Sequence, residues 1–142
     1  MLLNVGANIN VKDKYGRTPL VLSATNGHLD VVRELLNQGA SVDIADIYGY
    51  TPLYAAAKYG HVEVVRVLRN HGASVHITDK SGFTPFYAAY QRRHVEVVQE
   101  LLNDGAEVDI KYAYFSTLFS AAISKDARGR EELIREIALC LH

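Results

Sequence analysis

A repeat of 33 residues constrains this chain more than any other feature of its sequence. All three prolines recur at this spacing, and so do two series of glycines: Pro19, Pro52 and Pro85; Gly16, Gly49 and Gly82; and Gly6, Gly39, Gly72 and Gly105. A third series, Gly27 and Gly60, reaches Gly129 if three residues are inserted near "SKDA". Because glycine and proline fix turns and helix ends, the recurrence indicates one backbone path that is repeated along the chain.

One unit of the repeat predicts a pair of short helices. Thr18 is a typical N-cap, and Pro19 occupies the first helical position, where the missing N–H is harmless. The first helix is predicted to end near Gly27, and a second helix, apolar on one face, is predicted to end at Gly39. Such a pair has no core of its own, so at least about three units must stack to form one.

Three segments carry this pattern: "DKYGRTPLVLSATNGHLDVVRELLNQGASVD", "DIYGYTPLYAAAKYGHVEVVRVLRNHGASVH" and "DKSGFTPFYAAYQRRHVEVVQELLNDGAEVD". They resemble ankyrin repeats, with Thr-Pro, Val-Val and Gly-Ala at the family's offsets. The resemblance implies an all-α repeat solenoid, in which helix-turn-helix units stack and β-hairpin loops project. It implies full repeats at 13–45, 46–78 and 79–111, a partial repeat at 1–12 and a degenerate C-terminal capping repeat at 112–142.

The pattern also predicts the bounds of the helices and the residues of the core. Helix pairs are expected at 18–26 and 28–38, 51–59 and 61–71, 84–92 and 94–104, and 117–125 and 130–141, with hairpin fingers centred on Gly16, Gly49 and Gly82. We expect the second helices to bury valines and leucines, and the first helices to supply alanines at close contacts: Val31, Val32, Leu35, Val64, Val65, Leu68, Val97, Val98 and Leu101; Ala24, Ala56, Ala57 and Ala89.

The chain departs from the family pattern at several positions. Four different residues replace the usual histidine of the "TPLH" motif, which puts the hydrogen-bond network of that position in question: Val21, Tyr54, Tyr87 and Ser120. Arg93 stands where the first two units have glycine, and a left-handed arginine would cost about 1–2 kcal/mol. In the fourth unit Phe115 replaces the turn glycine and Leu118 the proline, which is typical of a terminal capping repeat.

The beginning of the chain predicts an incomplete unit. "MLLNVGANIN" aligns with "ELLNQGASVD", so the chain starts inside the second helix of a preceding repeat. We expect a fragment of a longer array, with a naturally short cap as the alternative. The stacking surface around Leu22 and Val31 would then be partly uncovered, and this predicts self-association through the N-terminal face.

Composition limits the classes of partner and compartment. A net charge of −1 in 142 residues argues against a surface that is basic throughout, so no nucleic-acid partner is expected. No apolar run approaches about 18 residues, so no membrane insertion is expected. The one cysteine, Cys140, cannot form an internal disulfide, and we expect an intracellular protein, cytoplasmic or nuclear.

Catalytic and metal sites are not expected. His28, His61 and His94 recur at 33 residues, but stacked helices lie about 8–10 Å apart, which is too far for the three to share one ion. "HVEVV" lacks the second histidine of a zinc motif. The resemblance implies a binding protein without cofactor. Asn10 lies at a hairpin position that can be hydroxylated in similar proteins, but we prefer a structural role for it in the turn.

The predicted binding face follows the offsets of the family, in which finger residues and the end of the first helix make the contacts. The predicted partner-binding residues are Lys14, Tyr15, Arg17, Ile47, Tyr48, Tyr50, Lys58, Tyr59, Lys80, Phe83, Gln91 and Arg92, with Thr25, Asn26 and Ser81 at related offsets. These fifteen positions hold five aromatic residues and five Lys or Arg but no acid, although the chain carries 16 acids against 15 bases.

Aromatic residues and arginine dominate interface hot spots, so this bias predicts a module that binds an acidic, partly apolar segment of a partner protein. In this interpretation Tyr48, Tyr50, Tyr59 and Phe83 form a central aromatic anchor, surrounded by Arg17, Lys58, Lys80 and Arg92. Three alternatives stay open. The finger aspartates could neutralise the bases while the tyrosines stack between units, the chain could be a structural spacer in a long solenoid, or it could be the substrate- or inhibitor-docking part of a larger enzyme assembly.

Overall fold

The computed structural model describes residues 8–103, where six helices form three stacked pairs. Their bounds are α1 (Pro19–Asn26), α2 (Leu29–Asn37), α3 (Pro52–Lys58), α4 (Val62–Asn70), α5 (Pro85–Gln91) and α6 (Val95–Asn103). Each bound lies within one residue of its prediction. First helices contact first helices, and second helices contact second helices, so the predicted all-α solenoid is confirmed. The predicted pair at 117–125 and 130–141 lies outside the described residues.

Each first helix begins at a buried threonine. The Oγ1 atoms of Thr18, Thr51 and Thr84 accept hydrogen bonds from backbone N–H groups three residues later, at 3.2, 3.1 and 3.2 Å. The following proline takes the first helical position in all three helices. These caps satisfy orphan donors of the first turn, and they fix where each finger ends and its helix starts.

The fingers are tight turns held by aspartates. Asp46 Oδ1 accepts the backbone N–H groups of Tyr48 and Tyr50 at 2.9 and 3.0 Å, and Asp13 and Asp79 make the equivalent bonds in their fingers. Adjacent fingers join where Ile47 N–H donates to the carbonyl of Tyr15. Residues 8–103 contain no regular β-strand, because each finger closes through single backbone bonds and not through a ladder.

The core lies between the first and second helices. Twelve of the thirteen predicted core residues are buried, and Val31 is the exception, being only half-buried. Val64 and Val97 occupy the same offset and are buried, but α4 and α6 each have a second helix before them in the stack. Within residues 8–103 no second helix of an earlier unit packs against α2, so Val31 has a smaller apolar surface to cover it.

Histidines at the starts of the second helices tie each unit to the one before it. His61 Nε2 lies 3.0 Å from the carbonyl of Thr25, and its ring faces Gly27 so closely that a Cβ there would lie 2.5 Å from Nδ1. His94 faces Gly60 in the same way. The histidine series therefore has a packing role at the unit boundaries.

The outer surface of the stack is held by an arginine. Arg66 on α4 forms ion pairs with Glu63 on the same helix and with Glu100 on α6. The hydrogen bond to Glu100, with smaller contributions from Glu63 and Glu96, raises the pKa of Arg66. Acidic side chains of the second helices thus have a basic partner on the outer surface, on a different set of helices from the predicted binding face.

Candidate protein-binding face

A cleft of about 220 Å³ lies between the second and third helix pairs, and we call it the central cleft. It is lined by Tyr50, Tyr54, Lys58, Asp79, Ser81, Phe83, Ala88, Gln91 and Arg92. Five of the twelve residues predicted to bind a partner lie in it, together with Ser81. Tyr54, Asp79 and Ala88 line it as well and were missed by the sequence interpretation.

Stacked rings form one wall of the central cleft. Tyr50 and Tyr54 stack with their centroids 4.6 Å apart and an interplanar angle of 18°. Tyr48 extends the group, with its centroid 5.7 Å from that of Tyr50. In the next unit Phe83 and Tyr87 stack at 4.6 Å. The tyrosines of the second unit thus pack on one another along the face, with Tyr54 buried and Tyr48 54% exposed.

Tyr54, which stands at the histidine position of the family motif, forms a hydrogen bond to the next unit. Its hydroxyl donates a hydrogen bond of 2.6 Å to Asp79 Oδ2 in the next finger. Burial, and then this bond, raises the pKa of Tyr54 far above its usual range. Asp79 Oδ1 meanwhile accepts the backbone N–H groups of Ser81 and Phe83. The only sequence signal for this bond was a tyrosine at the histidine offset, followed by an aspartate in the next finger.

The two cations of the central cleft lie on aromatic rings. Lys58 Nζ donates to the hydroxyl of Tyr50 at 3.0 Å and lies 4.5 Å from the centroid of that ring. Lys58 Nζ and Arg92 Cζ also lie 5.7 and 5.9 Å from the centroid of Tyr59. Neither cation, nor Lys80 on the finger, forms an ion pair within residues 8–103. Two cations without an ion pair in this range and the carboxylate of Asp79 therefore lie beside the aromatic wall.

The first unit is arranged differently. Arg17 Nε lies 2.8 Å from Asp13 Oδ2, and the backbone hydrogen bond from Arg17, followed by its side chain, lowers the pKa of Asp13. Lys14 and Arg17 lie 5.1 and 4.9 Å from the ring of Tyr15. The alternative that finger aspartates neutralise the bases thus holds for Arg17. It does not hold for Lys58 and Arg92, since Asp79 accepts from backbone groups and a tyrosine instead.

Five of the other predicted residues lie on the second and third fingers or at the end of α1. Ile47 and Tyr48 are exposed on the second finger, and Lys80 is exposed on the third. Thr25 and Asn26 at the end of α1 donate to carbonyls of their own helix, at 2.7 and 2.9 Å.

Asn10, the candidate for hydroxylation, bonds across a unit boundary. Its Oδ1 accepts from the backbone N–H of Ser41 at 3.0 Å, and its Nδ2 donates to Ser41 Oγ at 3.1 Å. Asp43 accepts from Ser74 N–H one unit later. Both side chains therefore have a structural role between consecutive fingers, and not within their own hairpin.

The described part of the chain has neither a metal-binding cluster nor a helix that could cross a membrane. Residues 8–103 contain no cluster of three or more His, Cys, Asp or Glu side chains that could hold a metal ion. The longest helices there have nine residues, and none combines the length and hydropathy that a membrane crossing requires.

Two protein-family models together match most of the sequence. The model for ankyrin repeats in three copies matches residues 1–79, and the model for a single ankyrin repeat matches residues 81–112. No curated protein matches the chain significantly.

Proposed function

Because the chain belongs to the ankyrin repeat family, we propose that it binds an acidic, partly apolar segment of a partner protein in the central cleft and on the fingers beside it. Ankyrin repeats generally mediate protein–protein interaction, and proteins of this family are typically non-enzymatic interaction modules. The proposal adds the chemistry of the partner and the face that receives it.

The observation that carries the proposal is the pairing of two cations with exposed aromatic surface in one cleft. Lys58 and Arg92 flank the ring of Tyr59, and no acid of residues 8–103 forms an ion pair with either. A carboxylate that enters the cleft would meet both cations, while Tyr50 and Phe83 offer apolar surface to a neighbouring side chain.

A structural spacer does not need cations and aromatic side chains gathered in one cleft. Its surface positions require only soluble residues, with no bias toward rings or toward one sign of charge. The outer helices meet that description, since Arg66 is paired with Glu63 and Glu100. The inner face does not, and this contrast favours a binding module over a spacer. The fifteen predicted positions fall short of the roughly 20–30 residues per side of a standard interface, so we expect a transient partner.

Binding to designed peptide libraries tests the proposal with the full chain. One library holds short peptides built from Asp, Glu, Phe, Leu and Gly, and a matched library has Asn and Gln in place of the acids. We expect binding to the acidic library alone, with an association rate that falls as salt is added, because salt screens exposed charges beyond about 8–10 Å. Light scattering of the same samples separates peptide binding from self-association of the chain.

Variants then locate the site. These variants are measured with a peptide that is selected from the acidic library. Tyr48→Ala and Tyr50→Ala should each weaken its binding by about 2 kcal/mol or more, and Lys58→Ala and Arg92→Ala should each lower its affinity by about tenfold. Arg33→Ala is the matched control, since it removes one exposed positive charge from α2. Equal loss in Arg33→Ala would reduce the effect to net charge. If both Tyr48→Ala and Arg92→Ala leave the affinity unchanged, the partner does not bind this face.

A further inference from the structure

An acidic side chain lies inside the cleft that we propose to bind acidic segments. Asp79 lines the central cleft together with Lys58 and Arg92, and it is the one acid among the lining residues in the described part of the chain. We propose that Asp79 determines specificity, by making the central cleft select a carboxylate side chain, with one negative charge, over a phosphorylated side chain with two. This inference rests on the proposed function, because it names the chemistry of the partner at the same site.

The carboxylate of Asp79 receives its hydrogen bonds from neutral donors. Its Oδ1 accepts the backbone N–H groups of Ser81 and Phe83 at 2.8 and 3.0 Å, and its Oδ2 accepts the hydroxyl of Tyr54 at 2.6 Å. Within residues 8–103 neither oxygen atom forms an ion pair with a lysine or an arginine. A neutral donor orients a carboxylate but brings no positive charge to it. The negative charge of Asp79 therefore stays in the cleft.

These bonds also fix the carboxylate beside the cations. Two of them hold Oδ1 within the third finger, and Tyr54, which is 4% exposed, holds Oδ2 from the preceding unit. Burial and then the Asp79 bond raise the pKa of Tyr54, whereas the charge of Arg92 acts in the opposite direction. Arg92 therefore lies near enough to act on this pair. Asp79 cannot turn away from an incoming anion without breaking three hydrogen bonds.

The balance of charge in the cleft favours a ligand group with a single negative charge. Lys58 and Arg92 are the cations among the described lining residues, and Asp79 offsets one of them. One carboxylate balances the positive charge that remains. A phosphoserine carries a charge of about −1.5 to −2 at pH 7, so it exceeds that balance and brings more negative charge toward Asp79. A fixed like charge is a recognised means of rejecting a competing ligand.

Peptides that differ at one position test this selection with the full-length parent chain. The starting peptide is the one selected from the acidic library. The acid whose change to an amide weakens binding most is replaced by phosphoserine, or by cysteic acid. Cysteic acid ends in a sulfonate, which has three oxygen atoms like a phosphate but one negative charge, so it separates the size of the group from its charge. We expect cysteic acid to bind within about threefold of the carboxylate, and phosphoserine to lower the affinity by about fivefold or more.

Asp79→Asn removes the charge and keeps the shape of the side chain. The amide retains Oδ1 for the N–H groups of the finger and can donate its own N–H to the hydroxyl of Tyr54. In this variant the ratio of the carboxylate affinity to the phosphoserine affinity should fall to about one. Asp30→Asn is the matched control, since it removes one exposed negative charge from α2 and should leave the ratio as in the parent.

The outcomes separate this inference from the proposed function. A parent chain that binds the phosphoserine peptide as tightly as the carboxylate peptide would overturn the inference alone. So would an equal loss with cysteic acid, a parent-like ratio in Asp79→Asn, or the same change of ratio in Asp30→Asn. The comparison of the three peptides needs no substitution in the chain, so it decides the question even if Asp79→Asn does not fold. A parent chain that does not prefer the acidic library over the amide library would overturn the proposed function and this inference together.

Discussion

The boundary between the first and second units and the boundary between the second and third share a backbone pattern and differ in their side chains, among them the residue at the histidine offset of the first helix. In both, a finger N–H donates to the finger before it, and a histidine ring packs on a glycine. Val21 occupies the histidine offset at the first boundary, whereas Tyr54 occupies it at the second and reaches Asp79. The shared contacts set the spacing of the units. At the second boundary Tyr54 also lines the central cleft, together with residues of both units.

The two boundaries also differ in whether their basic side chains are paired with a carboxylate. At the first finger Asp13 pairs with Arg17, so the carboxylate neutralises the nearest base. At the third finger the hydroxyl of Tyr54 occupies Oδ2 of Asp79, and the bases of the central cleft have no ion pair among residues 8–103. Two units built from one pattern thus present different electrostatic surfaces.

The largest expected effect tests the part that the two boundaries share. Leu35 and Leu68 occupy the same offset, and both are almost fully buried. Leu35→Ala and Leu68→Ala should each lower the free energy of unfolding by about 2–5 kcal/mol, because both leave a cavity in the stack. Denaturant unfolding of the full chain measures the two values. A parent-like midpoint for Leu68→Ala would contradict the stacked core.

A smaller effect is expected where the histidine packs on glycine. A Cβ on Gly60 would lie 2.5 Å from His94 Nδ1, whereas a Cβ on Gly72 meets nothing within 4 Å, although both residues have positive φ. Gly72→Ala should therefore cost about 1–2 kcal/mol for its conformation alone. Gly60→Ala should cost about 2–4 kcal/mol, since the ring must also move. Equal costs in denaturant unfolding would show that the histidine contact adds nothing.

The Tyr54 hydroxyl is the feature that distinguishes the second boundary. Tyr54→Phe should lower the free energy of unfolding by about 1–2 kcal/mol, because it leaves one carboxylate oxygen of Asp79 without its donor. Tyr48→Phe is the control, since that side chain is exposed and should change stability little. If Tyr54→Phe lowers the free energy of unfolding no more than the control does, the hydroxyl of Tyr54 does not stabilise this boundary.

The Tyr54 pair also predicts a dependence on pH. The folded-state pKa of Tyr54 is raised above its ordinary value of 10.0, so the folded protein keeps a proton that the unfolded chain releases. This contribution to stability is complete below pH 10 and declines as the pH rises above it. Above that pH the parent should lose stability faster than Tyr54→Phe, and parallel curves would contradict the assignment.

The smallest effect is expected at the first finger. The pKa of Asp13 is lowered by its bonds to Arg17, so its contribution is present above about pH 4 and is lost as the pH falls below that. Because the pair is exposed to solvent, Asp13→Asn should shift the melting temperature by about 1 °C or less at neutral pH. A shift as large as that of Tyr54→Phe would mean that the two boundaries do not differ in the way described.

The helices and core were predictable because they depend on local chemistry that repeats. Thr18, Pro19 and Gly27 fix one helix wherever the motif occurs, and the spacing of 33 residues carries the prediction to the other units. Val31 was expected both among the core residues and on the partly uncovered N-terminal surface, and its half-buried state agrees with the second expectation. The sequence indicated only the cost of a left-handed conformation at Arg93 and did not predict that it is kept, whereas the structure has it with a φ of 64°.

The residues of the proposed binding face were predictable only in part. Offsets from the repeat suggested Tyr50, Lys58 and Arg92, which the central cleft brings together. They could not reveal Tyr54, since its hydroxyl reaches a carboxylate 25 residues further along the chain. They also grouped Arg17 with the cleft cations, although its nearest partner is the aspartate of its own finger.

The sequence by itself determined the repeat, the ends of the helices and the apolar faces that stack, because each depends on residues within one unit and on their spacing. The tertiary structure alone decided which cations have an acidic partner and which rings form a cleft. At the central cleft those outcomes depend on side chains from two different units, such as Tyr54 and Asp79, meeting within hydrogen-bond distance. Tyr54 and Asp79 meet because α3 packs against α5, and that contact leaves Lys58 and Arg92 on the ring of Tyr59 instead of on a carboxylate.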